Sequence, residues 1–468
     1  MKGHIGSLNV GTALVLGVLT GFLTVQGPVG IVLVFLFTVL ITVVLTPVSL
    51  WTGILLLSIP LSFSGILPVV DLSESIQITA VDLILLVVAL KLIQQWHQVR
   101  WPFQVPLWYG FIAFVGTQLV ALLAANLNGI GNVLPGLIAF TRLVSQVFLG
   151  LLLASVVERA EVQRTLGWFR WLGMLTSWSI ILQWLLALAG LPLGNIFGNR
   201  YTGVFGDPAQ ASIFTLLFVF IAGEQVLYQR RGYVELLATA FAFMLTGTRG
   251  SMTVLVGGAL WLLVMSARST LTSWRKTLLS IIFIVFTALM LVTGPLSERI
   301  TPVALSQSWV TRFDPFVRAW RIFLNNPVFG VGYTGTTVVA DQFSIGLRYL
   351  RGGIFNQYLQ VLAESGVVGF IGFLLLLTAT WRSISNDRIS TIPFEQQPFV
   401  NAIRAWVLAI FVAYQTETWW QPGSIISYTL WAVVGLAISL QQVSIPVDRW
   451  HTGRGGSVQS NWVPRTNV

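Results

Sequence analysis

The chain has no cysteine, only three histidines and very little charge. Without cysteine there is no disulfide, no thiolate nucleophile and no thiolate metal site. Charged residues fill 9% of its 468 positions, where a soluble domain carries about 25%. That shortage excludes a water-soluble globular surface. The net charge of +10 would point to nucleic acid in a soluble protein. Here the positive-inside rule accounts for most of it, and no nucleic-acid partner is expected.

What the sequence has instead is apolar length. It is 55% hydrophobic, with a mean hydropathy of +0.81. Apolar runs of roughly 17–25 residues, enough to cross a bilayer, recur from end to end. Lys2 ahead of the first run resembles a signal peptide. No small-residue cleavage site follows, and a second apolar run comes at once, so the first run is read as a retained span. Spans are expected near 8–25, 29–46, 49–66, 78–94, 106–125, 136–156, 169–191, 209–227, 234–246, 250–266, 277–294, 354–380, 399–416 and 424–441. Lipid requires every backbone polar group to be satisfied within a helix or a closed barrel. These runs lack strand alternation. The expected fold is all-α, a polytopic integral membrane protein of about 12–14 transmembrane helices.

Lysine and arginine sort the loops into two sets. One holds Lys2, Lys91, Arg100, Arg159, Arg164, Arg170, Arg230, Arg231, Arg268, Arg275, Lys276, Arg382 and Arg388, with Arg449, Arg454 and Arg465 in the tail. The positive-inside rule makes this set and both termini cytoplasmic. The other holds Arg200, Arg249, Arg299, Arg312, Arg318, Arg321, Arg348 and Arg351, and no lysine. Arg142 falls inside an expected span. The longest polar insertion, 295–353, lies on the outer face, and its stretch 309–326 has the spacing of an amphipathic helix at the membrane surface, ended by Asn326-Pro327. The tail after about residue 443 is Gly-rich and expected to be disordered.

Outer loops are where the positive-inside rule discourages arginine, so this set points to chemistry. Guanidinium forks hold phosphate oxygens bidentately and stay charged at any physiological pH. Each arginine taken singly has a plainer reading, an ion pair with Asp207, Glu298, Asp314 or Asp341, or with a lipid phosphate. Arg200 sits in the Gly-rich GNRYTGVFGDPAQAS, where Asp207-Pro208 reads as a helix start. Arg249 sits in LTGTRGSM between two tightly spaced spans, where glycines let the backbone turn at membrane depth. The GVG of NNPVFGVGYTG, lacking a strand before and a helix after it, reads as a turn.

Four blocks in order resemble the O-antigen ligase and O-antigen polymerase superfamily of membrane glycosyltransferases. They are RYTGVFGDPAQAS from Arg200, TGTRGS around Arg249, RAWRIFLNNPVFGVGYTG from Arg318 and FNQYLQVLAESGVVGF from Phe355. They cover about residues 198–376, with a long outer loop between the last two. The resemblance implies a domain plan of N-terminal helices over 1–194, a ligase-like core over 195–380, C-terminal helices over 381–442 and a cytoplasmic tail over 443–468. It also implies a glycan on an undecaprenyl diphosphate carrier, transfer to an acceptor glycan or lipid outside the bacterial inner membrane, no cofactor and no metal. Other polysaccharide-assembly proteins would be its partners. By the same resemblance Arg200, Arg249 and either Arg318 or Arg321 would hold the diphosphate. Asn356, Tyr358 and Trp320 are candidate substrate contacts, although such aromatic residues also collect at membrane interfaces in any case.

The ligase branch carries His-Asn or His-Ser where this chain has Phe355-Asn356. The only histidines, His4, His97 and His451, are cytoplasmic in this topology. Polymerase is therefore preferred over ligase, and a base, if used, would be Glu364, Asp314 or Asp207. Glu364 is also open to a structural role inside its span. The expected reaction is inverting glycosyl transfer in surface-polysaccharide synthesis. The alternative from another class is a lipid-linked-glycan transporter without chemistry, which would explain intramembrane charges such as Arg142, Asp82 and Glu224.

Overall fold

The structure is a computed structural model. It describes residues 48–63, 70–73, 76–78, 80–94, 105–129, 133–155, 159–191, 196–197, 200–248, 302–333, 335–339, 354–385, 392, 396–415 and 424–443. The expected spans at 8–25, 29–46, 250–266 and 277–294, the three histidines, Arg249 and the tail lie outside them.

The described helices are α1 (Val48–Phe63), α2 (Ala80–Gln94), α3 (Pro106–Leu127), α4 (Val133–Ala154), α5 (Arg159–Leu188) and α6 (Pro208–Gln229). After them come α7 (Tyr233–Thr246), α8 (Pro302–Asn325), the short α9 (Gly335–Val338), α10 (Gln357–Ser385), α11 (Gln397–Ala413) and α12 (Ile425–Val443). Among the described residues only two small antiparallel hairpins interrupt them: β1 (Val70–Ser73) with β2 (Ile76–Ile78), and β3 (Ile196–Phe197) with β4 (Arg200–Tyr201). Six of these helices are long and apolar enough to cross a membrane: α3, α4, α5, α6, α10 and α12. This is the expected all-α polytopic architecture.

Local chemistry sets the helix ends. Asp207 caps α6 by accepting from the Ala209 amide at 2.9 Å, and Pro208 occupies the first turn, where its missing N–H costs nothing. α7 runs between Gly232 (φ 81°) and Gly247 (φ 57°). Its 14 residues span about 21 Å, short of the ~30 Å hydrocarbon core. Thr248, just past the end of α7, is buried. Two helices start well before their expected positions. α5 starts at Arg159 rather than 169, because no proline interrupts residues 159–169 and the helix runs on through Gly167. α8 starts at Pro302 rather than 309 and runs on through Pro315.

α12 is the centre of the bundle. It packs on α1, α4, α5, α6, α10 and α11, and 94% of its apolar window is buried. A helix apolar all round belongs in such a core. Near its start the Tyr428 hydroxyl donates to Asp82 of α2 at 2.8 Å, and Asp82 pairs with Arg142 of α4 at 3.6 Å.

A few bonds fix which helix ends meet. At one end the Leu107 amide of α3 donates to Ser383 Oγ of α10 at 2.9 Å. Arg404 of α11 and Gln441 of α12 both donate to the Ile384 carbonyl there. At the other end the Gln357 amide that starts α10 donates to the Tyr414 carbonyl that closes α11, at 2.7 Å. Following the chain, Lys91, Arg164, Arg170, Arg230, Arg231 and Arg382 belong to the first end. Arg200, α8 and the start of α10 belong to the second.

Candidate functional site

The second end is organised by a break in α10. Gly366 (φ 61°, ψ −165°) divides the helix in two. The loop after α8 is threaded into that break. Val331 and Gly332 donate their amides to the Ala363 and Glu364 carbonyls at 3.1 and 2.7 Å. Val367 and Val368 donate theirs to the Pro327 and Val328 carbonyls at 2.9 and 3.2 Å. The loop thus takes up backbone groups that the break would leave unsatisfied. The fit requires glycine. Gly330 (φ 66°) lies against the Glu364 carbonyl and Gly366 against the Val328 carbonyl, with no room for a Cβ at either. The third and fourth sequence blocks are one structural unit.

Glu364 is buried in this unit. Its Oε1 accepts from Thr336 Oγ1 at 3.3 Å and from Gln360 Nε2 at 3.1 Å. Tyr333 lies beside it, against Phe140 of α4. Burial, and after it the Glu364 carboxylate, hold the Tyr333 phenol well above its ordinary range.

α8 lies on α10, with Ala319 and Ile322 packed among Val331, Val339, Ile354, Leu359 and Ala363. Asp314 and Arg318, one turn apart, are buried on the same inner face, whereas Arg321 and Trp320 are exposed. Packing thus separates the two arginines that the sequence left open. The guanidinium of Arg312 stands 5.3 Å over the Phe355 ring. Arg312 was not among the expected site residues, and nothing local in the sequence ties it to a phenylalanine 43 positions on.

Asn356 and Tyr358 spend their polar atoms within the fold. Asn356 Oδ1 accepts from the Leu359 amide and its Nδ2 donates to the Gln415 carbonyl, both at 2.9 Å. Tyr358 donates to the Phe411 carbonyl at 2.6 Å.

Arg200 is half-buried in β4, paired with Phe197. The loop that follows is pinned to α5. Gln183 Oε1 accepts the Thr202 and Gly203 amides, both at 2.8 Å, and Ser179 Oγ accepts the Val204 amide at 3.2 Å. β4 also packs on α7, whose end leads to Arg249. Asp207, the third acidic candidate, is the exposed cap of α6. Among the described residues no three His, Asp or Glu side chains group as metal ligands.

Residues 235–374 match the family model described as O-Antigen ligase. This segment is an O-antigen ligase family domain. It takes in α7, Arg249, α8, the threaded loop and the break in α10, and so holds every expected site residue except Arg200 and Asp207. The resemblance read from the four blocks stands on three of them within this O-antigen ligase segment. The chain is accordingly a multi-pass membrane protein that carries an O-antigen-ligase-related segment. No curated protein matches it.

Proposed function

We propose that this protein moves a glycan from an undecaprenyl diphosphate carrier to an acceptor sugar hydroxyl, at the outer face of the bacterial inner membrane, during surface-polysaccharide assembly. The bond from the anomeric carbon to the diphosphate breaks and a bond to the acceptor oxygen forms with inversion. Arg200, Arg249 and Arg318 bind the departing diphosphate, placing fixed positive charge where negative charge develops. The acceptor proton passes to a carboxylate. We assign that role to Asp314, which is buried on the inner face of α8 one turn from Arg318, while Asp207 caps α6 and Glu364 accepts from Thr336 and Gln360.

One observation carries this reading. Arg200 and Arg318 lie at one end of the bundle, and Arg164, Arg170, Arg230, Arg231 and Arg382 at the opposite end. The positive-inside rule makes the latter end cytoplasmic, so the former faces outward. Polymerase is preferred over ligase because Phe355 stands where ligases carry histidine.

The broken α10 is the feature a transporter would use, since discontinuous helices there expose backbone groups to a substrate. Here four of those groups are bonded to the threaded loop, which favours a rigid scaffold over an open ion site.

The test is reconstitution of the full chain with an undecaprenyl-diphosphate-linked oligosaccharide. A ladder of lengthened glycans on the carrier is expected. A single transfer to lipid A core would replace polymerase by ligase. Movement of the glycan across the membrane with no new bond would replace transfer by transport.

A further inference from the structure

α8 has a second face that the site does not use. Phe313, Phe316, Trp320 and Leu324 recur at steps of three, four and four residues, and so form one stripe along the helix. They are 56, 48, 45 and 58% exposed. Asp314, Arg318, Ala319 and Ile322 occupy the opposite side and are buried. A stripe of four large apolar side chains is too costly to leave in water.

The surroundings say what covers it. Val328, just past the end of α8, is also exposed, and its carbonyl accepts the Val368 amide of α10. Beside that bond α10 presents Val367, Ile371 and Leu375, exposed at successive turns of a membrane-crossing helix. The α8 stripe therefore continues through Val328 into the outward apolar stripe of a transmembrane segment. Exposed Arg321 flanks it, about 100° round the helix from Trp320.

We propose that α8 is seated in the outer leaflet, with Phe313, Phe316, Trp320 and Leu324 among the upper acyl chains and Arg321 at the lipid phosphates. An aromatic-rich apolar face edged by arginine is the composition of an interfacial helix. Arg318 and Arg321 then meet different partners: Arg321 touches bulk lipid, and Arg318 faces the protein interior. This placement does not depend on the chemistry proposed above.

The absence of cysteine makes the test clean. Single cysteines at positions 316, 320 and 325 of the full chain carry an environment-sensitive fluorophore, in liposomes of phosphatidylethanolamine and phosphatidylglycerol. Nitroxides sit on lipid acyl carbon 5 or carbon 12. Asn325, exposed but about 135° from the stripe centre, is the reference. Probes at 316 and 320 are expected to be quenched at least about twofold by the shallow nitroxide and less by the deep one, with position 325 little affected. Equal quenching at all three positions would overturn the proposal. So would a stripe immune to lipid nitroxides whose cysteines cross-link between copies, which would make it a self-interface. Quenching that vanishes when a polyprenyl diphosphate is added would also overturn it, by making the stripe a seat for the carrier's tail.

Discussion

The Gly332 amide donates to the Glu364 carbonyl at 2.7 Å, two residues before α10 breaks at Gly366. This bond joins two stretches 32 positions apart and fixes α8, with Arg318 on its inner face, against a membrane-crossing helix. The end of the bundle that carries Arg200 and Arg318 is built around it.

Gly366→Ala and Gly330→Ala should therefore destabilise the protein severely. Each residue has a positive φ, and each would push a Cβ into backbone. The left-handed conformation alone costs about 1–3 kcal/mol for a residue with a side chain, and the collision adds to it. Gly116→Ala, where a Cβ meets nothing, should be neutral or slightly stabilising. Thermal unfolding in detergent compares the three.

Glu364 separates a structural from a catalytic carboxylate. Its Oε1 accepts from Thr336 and Gln360. Glu364→Gln keeps an acceptor oxygen there and should hold transfer within a few-fold of the parent, while Glu364→Ala loses both stability and transfer. If the glutamine variant folds normally but is as inactive as the alanine one, the carboxylate is the base.

The paired charges of Asp82 and Arg142 link α2 to α4, with Tyr428 bonded to Asp82. Removing one partner leaves the other uncompensated near the membrane. Asp82→Ala or Arg142→Ala should each cost more stability than Phe355→Ala, which loses the packing of a partly buried ring and a cation–π contact of about 0.5–1 kcal/mol. The double variant Asp82→Ala/Arg142→Ala should be less harmful than the sum of the singles in a double-mutant cycle. Phe355→Ala should keep measurable transfer once expression is normalised.

The bundle was legible in the sequence where a single local signal decides. The expected span 209–227 is α6, Pro208–Gln229, because Asp207-Pro208 is a start signal. The short span 234–246 is α7, Tyr233–Thr246, because glycine bounds it on both sides. The break in α10 was not legible, since Gly366 inside an apolar run reads as one more span residue. Only the distant loop that bonds to the break reveals it. The partners of Asn356 and Tyr358, the Gln415 carbonyl just past α11 and the Phe411 carbonyl within it, are likewise distant in sequence and invisible to a local reading. The sequence also left Arg318 and Arg321 equivalent, because the buried side of α8 is decided by what packs on it.

The orientation can be checked with cysteines at Asn325 and Arg231, both exposed and at opposite ends of the bundle. An impermeant thiol reagent applied from outside should label position 325 and spare position 231. The reverse pattern would turn the proposed site toward the cytoplasm.

The central claim is that arginine forks at the outer end hold a diphosphate, and Arg→Lys substitution tests it most directly. Lysine keeps the charge and loses the planar fork. A hydrogen bond to a charged group contributes about 1.5–3 kcal/mol, so its loss in the transition state slows transfer roughly 10–100-fold. The measurement is transfer from an undecaprenyl-diphosphate-linked glycan by protein confirmed to be folded in the membrane. Arg200→Lys, Arg249→Lys and Arg318→Lys should each show that loss, and Arg321→Lys, on the exposed side of α8, should lose much less. Full transfer by the Arg200, Arg249 and Arg318 variants would contradict the account.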